Sequence, residues 1–567
     1  MSIGAAFLLL AVVWAFIHLV HYLATRNAAP LLPTQMHAVP RNRTAFLAFH
    51  SPRHTQVSLS GLKLQVSTTR WNAAHDRLGT LLSRRANRRT ASAVRAVYDV
   101  GAVLGVLGML VAVLGVCAAC AAAVWTLAGK IGPLSPGSMD GVQNLARRGL
   151  ADEDMAAPPR AAFLNIVPII PGVTVPLAHL PLIIGAVFAA QAVHELGHAL
   201  AGALELLPLS ACGASLVACV PAAFVSFPDT ALRGLPPRAR ARVIAAGPFH
   251  NLVLWGALLL SVRVGLPSGV SAITGYRSVA DVGNVVVSVN ADSPLALHLA
   301  PGAIVTKLDD TPLSTSATSV DTWSDYLQGA HQSPSLGWCI PAAALARSDA
   351  CCAPSAPPSP LACFVALAGG DRGCADPVPV LTAPAPGPRA RCTTDAACGA
   401  DALCVRPRAD AELLRISVLP DKGPERVVLW SGPREEVWEE VRVGTWAPRI
   451  SILPLWLPPL AGVFWEYLTL ATLSLFFVNL LPLPHLDGTA LLGALLDFAG
   501  DGGGGARGAS GFDFSALEAG AGGAADGYSE ARRARGRWGR RVRTGVPWAM
   551  AGVVGCYVFV SLLNFMF

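Results

Sequence analysis

The chain has 567 residues, of which 53% are hydrophobic and only 14% are charged, and its mean hydropathy is +0.49. A set of soluble domains of this length would be more polar, so the composition excludes an ordinary soluble enzyme and predicts a protein that crosses a membrane several times. The net charge of +7 comes from basic blocks beside apolar stretches, which indicates membrane orientation and no direct nucleic-acid binding.

The N-terminal part has two apolar stretches separated by a basic one. Ile3–Leu23 carries no Asp, Glu, Lys or Arg and is long enough to cross a bilayer, so we predict a transmembrane anchor; a cleaved signal peptide is the alternative. Arg26–Arg95 holds a dozen Arg and Lys against one acid, which predicts a cytosolic location. Val103–Ala128 is a second predicted span, and the polar connector Gly129–Arg160 is expected on the luminal side.

The next apolar stretch, Ala161–Leu206, contains the sequence HELGH. A helix is predicted to begin near Pro181 and to carry this sequence toward the cytosolic side. His194 and His198 are four residues apart and therefore lie on one face of such a helix, where both imidazoles reach one metal ion. Glu195 is placed to take a proton from a water at that metal rather than to bind the metal.

Two alternatives to a metal site stay open for HELGH: a chance match, and a pair of buried histidines that are hydrogen-bonded within a helix core. Ionisable side chains inside a membrane span are costly, so an intramembrane His-Glu-His set is by default a sign of function. A third metal ligand elsewhere in the chain would favour the metal site.

Two segments after HELGH are expected beside it. Leu209–Phe227 is apolar but broken by Pro and Cys, so we predict a re-entrant segment rather than a span. Val243–Val262 is predicted to return through the membrane and carries AGPFHN, with His250 and Asn251 at membrane depth. Buried polar side chains need partners there, so these two either bond within the helix bundle or act in catalysis.

The largest polar region, Tyr276–Glu440, is predicted to be a soluble insert. NVVVSVNADSPL, APGAIVTKLDDTPL and TWSDYL predict a strand, a turn, a Pro-Gly turn, a strand and a short helix, an order similar to that of a PDZ domain. The insert has no clear Gly-rich carboxylate-binding loop, so capture of peptide termini is not predicted.

Eight of the thirteen cysteines fall within this insert, namely Cys339, Cys351, Cys352, Cys363, Cys374, Cys392, Cys398 and Cys404. This clustering predicts disulfides in an oxidising compartment. A zinc site is the weaker alternative, because the spacings are irregular and no histidine is interleaved. Eight cysteines allow about a hundred pairings, so the connectivity cannot be deduced.

The last large apolar block, Ile452–Phe498, contains NLLPLPHLDG, which begins at Asn479. Two helix-breaking prolines, Pro482 and Pro484, kink the chain just before Asp487. An aspartate that follows such a break is well placed to point into a cavity.

The predicted fold is a polytopic α-helical membrane protein with an inserted luminal PDZ-like (α+β) and Cys-rich module. Seven arginines between Arg532 and Arg543 place the preceding Gly-rich loop in the cytosol. The predicted segments are the anchor 1–25, the basic cytosolic segment 26–97, the second span 98–130, the luminal connector 131–170, the first half of the catalytic core 171–265, the luminal insert 270–450 with its Cys-rich part 337–404, the second half of the core 452–498, the cytosolic loop 499–545 and the last span 546–567.

HELGH in one apolar segment and N-x-x-P-x-x-x-L-D-G in a later one resemble the paired motifs of the site-2 protease family, which are intramembrane zinc metalloproteases of peptidase family M50. AGPFHN is similar to the intervening motif of that family. The Cys-rich, PDZ-like insert resembles that of the eukaryotic Golgi members. The resemblance extends from about Leu177 to Phe498, and the poly-Gly run Gly502–Gly505 departs from it.

The resemblance implies a role for each motif residue. The implied ligands of one Zn²⁺ per chain are His194, His198 and Asp487, the implied general base is Glu195, and the implied positioners of substrate or oxyanion are Asn251 and Asn479. Three protein ligands leave a coordination position open for water, as in catalytic zinc sites.

The resemblance also implies an activity, a metalloendopeptidase that cuts peptide bonds within or near membrane helices. Its expected substrates are single-span membrane proteins, in particular membrane-anchored transcription factors that have received a first luminal cut. The expected location is the Golgi or ER membrane, with the lipid bilayer as a partner and the active site toward the cytosol. The alternatives are a catalytically silent membrane scaffold and a metal transporter, although a transporter should carry ionisable residues along several spans.

Overall fold

The structure is a computed structural model that describes residues 3–26, 48–50, 54–131, 174–314, 321–329, 336–345, 351–352, 360–382, 391–399, 401–408, 412–420, 422–450, 452–501 and 524–566. The connector predicted at Gly129–Arg160 lies almost wholly outside these residues, as does most of the Gly-rich segment Gly500–Gly527.

The N-terminal part combines long helices with five strands. These elements are α1 (Ile3–Arg26), β1 (Ala48–His50), β2 (Thr55–Ser60), β3 (Lys63–Thr68), α2 (Asn72–Ser83), α3 (Arg88–Ile131), α4 (Leu180–Leu204), β4 (Ala211–Val217), β5 (Val220–Ser226), α5 (Asp229–Gly234) and α6 (Pro237–Arg263).

The insert is built mostly from strands, and three helices follow it. The elements of the insert are α7 (Leu266–Ile273), β6 (Tyr276–Ser278), β7 (Asn284–Val289), β8 (Ile304–Leu308), β9 (Thr311–Pro312), α8 (Thr322–Gln328), β10 (Gly337–Pro341), β11 (Ala362–Ala366), β12 (Arg372–Ala375), α9 (Pro377–Leu381), β13 (Arg391–Cys392), β14 (Ala402–Pro407), β15 (Leu413–Leu419), β16 (Arg426–Ser431), α10 (Arg434–Glu440), β17 (Val441–Gly444) and β18 (Trp446–Pro448). The last three helices are α11 (Leu457–Leu480), α12 (Asp487–Asp501) and α13 (Ala524–Met566).

Five helices within the described ranges are long and apolar enough to cross a membrane: Arg85–Lys130, Leu177–Leu204, Pro237–Arg263, Leu457–Leu480 and Arg541–Asn564. A shorter apolar stretch, Ala11–Leu23, lies within α1. The chain is therefore a multi-pass membrane protein, as its composition predicts.

The chain divides into two compact units, of which the first comprises Met1–Leu260 and Phe464–Phe567. Its sheet has the antiparallel order β1-β2-β3-β4-β5. The segment predicted to be re-entrant, Leu209–Phe227, forms the β4–β5 hairpin, which turns at Ala218 with a positive φ of 56°. The hairpin β2–β3 pairs with β4 and thereby brings part of the basic N-terminal segment into this sheet.

Helix α4 begins where the sequence predicts a start. Pro181 lies in its first turn, where a missing N–H costs no hydrogen bond. Its last turn is closed by the Glu205 N–H, which donates to the Ala201 carbonyl, and Leu206 then leaves the helix with a positive φ of 57°. The helix crosses α6 closely, because a Cβ atom at Gly197 would lie only 2.5 Å from the Ala246 carbonyl oxygen.

The second unit, Ser261–Val463, contains two larger sheets. One has the order β16-β15-β8-β7-β17 with β9 beside β8, and the other has the order β12-β11-β14-β10-β13. The predicted succession of strand, Pro-Gly turn, strand and short helix is confirmed by β7, β8 and α8. The core of the first sheet includes Val286, Leu308, Trp323 and Ile416, all buried.

All eight cysteines of the insert form disulfides, which confirms the preference for disulfides over a zinc site. The pairs are Cys339–Cys398, Cys351–Cys374, Cys352–Cys363 and Cys392–Cys404. Three of them fasten a residue outside the strands to a strand of the second sheet, and Cys392–Cys404 joins β13 to β14.

Candidate metal centre

The two histidines of HELGH and the aspartate of LDG meet at one point. The Asp487 Oδ2 atom lies 2.9 Å from His194 Nε2 and 3.3 Å from His198 Nε2, and the two Nε2 atoms are 3.1 Å apart. Helix α4 supplies both imidazoles one turn apart, and α12 supplies the carboxylate from its first residue. The sequence-predicted ligands are thus brought together from segments 293 residues apart.

The His198 ring nitrogen that faces away from the cluster is hydrogen-bonded to a backbone carbonyl. Its Nδ1 lies 2.9 Å from the Val243 carbonyl oxygen, which can only accept a hydrogen bond, so Nδ1 carries the proton and donates it. In a neutral imidazole, Nε2 then presents a lone pair to the cluster. A hydrogen bond at the ring nitrogen that does not face the metal is the usual way to orient a metal-ligating histidine.

The outer side of His194 is held by Asn251, which is fully buried. The Asn251 side-chain amide lies 3.1 Å from His194 Nδ1, and its Oδ1 atom has no hydrogen-bond partner within the described chain. Amide oxygen and nitrogen are exchanged by a half-turn of the side chain. With Oδ1 toward His194, the Nδ1–H donates to it and the ring presents its Nε2 lone pair to the cluster.

A metal ion fits this arrangement of donors. Two imidazole lone pairs and a carboxylate oxygen that face one another repel unless a proton or a metal cation lies between them. The glycine of AGPFHN leaves space beside them, because a Cβ atom at Gly247 would lie 2.5 Å from His194 Nε2 and would also collide with His198 Nε2. Two histidines and a carboxylate form a ligand set that zinc takes in catalytic sites. His194, His198 and Asp487 could therefore hold one Zn²⁺.

Asp487 reaches the cluster because the chain turns sharply after α11. His485, which follows Pro484, has a positive φ of 71°, a conformation that is uncommon for a residue with a Cβ atom. Gly488 packs against the end of α11, since a Cβ atom there would collide with the Leu480 and Leu481 carbonyl oxygens. The glycine of LDG is thus required by the close contact between the two helices.

Glu195 lies outside the ligand cluster, as expected of a base. Its Oε2 accepts a hydrogen bond of 2.9 Å from the Val225 N–H of strand β5. One turn earlier on α4, Gln191 Oε1 accepts from the Ala223 N–H at 3.2 Å. Both N–H groups point away from β4, toward the outer edge of the sheet, where the described chain places no further strand.

Gln191 and Val225 are site residues that sequence reasoning missed. The one available signal for Gln191 is its position, a polar residue four before Glu195 on an apolar helix and therefore on the same face. Nothing in the sequence indicates which strand lies against that face.

A cavity of about 1250 Å³ opens beside Glu195. It is bounded by helix α4, helix α2 and the sheet, with walls that include Trp71, Phe188, Leu196 and Phe224. Most of the walls are apolar, and Glu195 is the one acidic group among the lining residues. Its volume is above the range of about 300–1000 Å³ that is usual for small-molecule pockets.

The other predicted residues are not part of the ligand cluster. Asn479 is half-buried in the last turn of α11. His250 lies apart from the three ligands, with its Nδ1 2.9 Å from the Ala246 carbonyl and its ring stacked on Tyr98. Asn251 contacts the face of His194 opposite to the cluster, from where it orients that ring, and its expected part in positioning substrate or oxyanion stays a prediction.

Ion pairs fasten the ends of the helices that carry the site. Arg242 on α6 lies 2.9 Å from the Asp99 carboxylate of α3 and 3.0 Å from the Glu205 carboxylate, just beyond α4. Arg242, with 11% of its side chain exposed, bonds both acids. One guanidinium therefore joins three helices.

A second set of ion pairs holds α12, the helix that begins with Asp487. The Asp497 carboxylate bonds Arg240 on α6 and lies 2.5 Å from Arg543 on α13. Arg543 also donates to the Gly493 carbonyl at 3.1 Å. The helix with the carboxylate ligand is thus tied to the helix whose carbonyl orients His198.

Comparison with known proteins agrees with this geometry. Residues 182–370 match the family model of Peptidase family M50, a segment that starts within α4. A stretch of 139 residues is 30% identical to the "Membrane-bound transcription factor site-2 protease homolog" of Arabidopsis thaliana. That match covers 24% of this chain and 26% of the relative. Residues 182–370 of this chain are therefore similar to peptidase family M50, and a part of the chain is similar to a site-2 protease homolog.

Proposed function

We propose that the protein is a zinc-dependent endopeptidase that hydrolyses peptide bonds within or near membrane helices. The observation that carries the proposal is the convergence of His194, His198 and Asp487, with Glu195 beside them and outside the ligand set. The position of Glu195 suits a base, because its Oε2 is held by Val225 and its other oxygen is left to take a proton.

Zinc held by the three ligands would supply Lewis-acid polarisation and would lower the pKa of a water molecule. Glu195 takes the proton of the attacking water at its second carboxylate oxygen and returns it to the leaving amine. Asn251 holds the ring of His194 in one orientation, and Val243 does the same for His198.

The substrate is proposed to bind as an extended strand beside β5. Helical peptide carbonyls are already hydrogen-bonded, so a membrane helix must unwind before it is cut. The outer edge of β5 offers the backbone groups of Ala223 and Val225, and an added strand would pair with them. An added strand would take the Val225 N–H from Glu195, so this contact orients the Glu195 carboxylate only until the substrate binds.

The proposed substrates are single-span membrane proteins with helix-weakening residues, in particular membrane-anchored transcription factors after a first luminal cut. The printed name of the Arabidopsis relative supports this class. The four disulfides of the insert support its placement in the lumen of the ER or Golgi, because disulfides persist in oxidising compartments.

The test uses the full chain in lipid nanodiscs with a single-span substrate that contains helix-breaking residues. Glu195→Gln should keep about one zinc per chain, measured by mass spectrometry, and should lose cleavage by about 10²–10⁴-fold. Asp487→Ala should lose both zinc and cleavage.

A matched control is Glu466→Gln, since Glu466 is an exposed acid on α11. This variant should keep both zinc and cleavage. Normal turnover by Glu195→Gln would refute the assignment of the base, and a wild-type chain without zinc would refute the metal centre. A scaffold of the same fold would function equally well in all three variants.

A further inference from the structure

Helix α7 leaves its three largest apolar residues exposed. Leu266, Val270 and Ile273 follow one another at helical spacing along one side, and their exposed fractions are 50%, 51% and 88%. Ser271, in contrast, is half-buried on the opposite side. A surface helix of a water-soluble unit has the reverse arrangement, so something apolar covers this side of α7.

A second exposed apolar segment lies beside the end of α7. Ile450, Ile452 and Trp456 are 61%, 84% and 56% exposed. The Arg449 N–H donates to the Gly275 carbonyl at 2.9 Å, and the Tyr276 hydroxyl donates to the Pro454 carbonyl at 2.9 Å.

Those two hydrogen bonds hold both segments in one surface, the apolar platform. It consists of Leu266, Val270, Ile273, Ile450, Ile452 and Trp456.

We propose that the apolar platform is a lipid-binding surface that lies in the boundary between headgroups and acyl chains. Both ends of the platform are continuous with candidate membrane spans, since α6 ends at Arg263 just before α7, and α11 begins at Leu457 directly after Trp456. Lipid is therefore adjacent to the platform at both points where the chain enters it. An amphipathic helix with its apolar side in the bilayer surface is the usual form of such contact.

The charges beside the platform suit phospholipid. Arg263, Arg277 and Arg449 are exposed and flank the apolar residues. Arginine side chains at a membrane surface lay their aliphatic part on apolar groups and direct the guanidinium to lipid phosphates. Trp456 has the size and the polar edge of residues that concentrate at this depth.

The test measures where the platform lies in phosphatidylcholine vesicles that contain the full chain. A phenylalanine analogue with a ketone group replaces Ile273 or Ile452, and a nitroxide is attached to it, so that no cysteine is involved. Collisions of the nitroxide with oxygen, which concentrates in lipid, are compared with collisions with a water-soluble nickel chelate. The oxygen-to-nickel ratio should be several-fold higher at both positions than at a control position.

The control is Val378, a 54% exposed residue on α9, a helix that lies beside β10 and β16. Val378 matches Val270 in residue type and in exposed fraction, so Val270 should be labelled as a third platform position. Equal ratios at the platform and at Val378 would overturn the proposal, because the platform would then face water. Exclusion of both reagents from the platform alone would also overturn it, because protein would then cover the surface. Both readouts are independent of peptide cleavage.

Discussion

At the scale of single residues, the site depends on Gly247 as much as on its ligands. The backbone of Gly247 lies against the Nε2 atoms of His194 and His198, where any side chain would occupy the space of the ion. Sequence reasoning predicts the two histidines, because helical periodicity places residues four apart on one face. It does not predict Gly247, because the sequence does not show which turn of α6 faces them.

Gly247→Ala should therefore reduce zinc affinity by about 10–100-fold, the range found for residues that support metal ligands. The stability of helix α6 itself should not fall, because Ala has a higher helix propensity than Gly. Zinc affinity is measured by competition with a chelator.

Gly256→Ala on the same helix is the matched control, since a Cβ atom there has nothing within 4 Å. It should leave zinc affinity unchanged. Equal zinc affinity in both variants would contradict the close approach of Gly247.

At the scale of elements, the metal centre depends on how α12 is held. Its first residue is the ligand Asp487, and its later residue Asp497 bonds Arg240 and Arg543 on two other helices. The sequence predicts the kink at Pro482 and Pro484, but not these ion pairs, because their partners lie far apart along the chain.

Asp497→Asn should loosen α12 and lower the temperature at which the full chain unfolds in detergent. Hydrogen bonds to charged groups contribute about 1.5–3 kcal/mol, so a loss in this range is expected. Zinc affinity should fall as well, because Asp487 is then held less firmly.

Asp229→Asn is a suitable control for the ion pairs. Asp229 and Arg233 are 4.0 Å apart and almost fully exposed, and such pairs contribute little. It should change neither the unfolding temperature nor zinc affinity. A drop of equal size in both variants would mean that Asp497 has no special part in holding α12.

The sheet beside α4 illustrates the limit of prediction for elements. An apolar segment broken by Pro and Cys correctly suggests that Leu209–Phe227 does not form a span. The pairing of β4 with β3 joins segments about 150 residues apart in register, and short strands of this kind have no signal that identifies their partners.

At the scale of the whole molecule, composition predicts the membrane spans and cysteine clustering predicts the disulfides. The disulfide pairing could not be deduced from the sequence, and the strand register alone would predict a wrong pair. Cys339 lies directly opposite Cys404 in the paired strands β10 and β14, yet these two bond Cys398 and Cys392.

Replacement of Cys392 and Cys404 together by serine should destabilise the insert. Both residues are buried, and removal of a disulfide from a small domain costs about 2–5 kcal/mol. Limited proteolysis of the full chain should then cut the insert faster than in the wild type.

Cys117→Ser is the control, since Cys117 is a free and exposed cysteine on α3. Its insert should resist protease as the wild type does. If the double variant resists protease equally well, the disulfide is dispensable for the fold of the insert.

The separation of 293 residues between His194 and Asp487 bears on how the protein is made. At a synthesis rate of about 5–20 residues per second, the ribosome needs roughly 15–60 s to travel from the first ligand to the last. Throughout that interval the nascent chain has two of the three metal ligands and lacks the carboxylate. The third ligand is added only after that interval, so the complete metal site forms late in translation or after it.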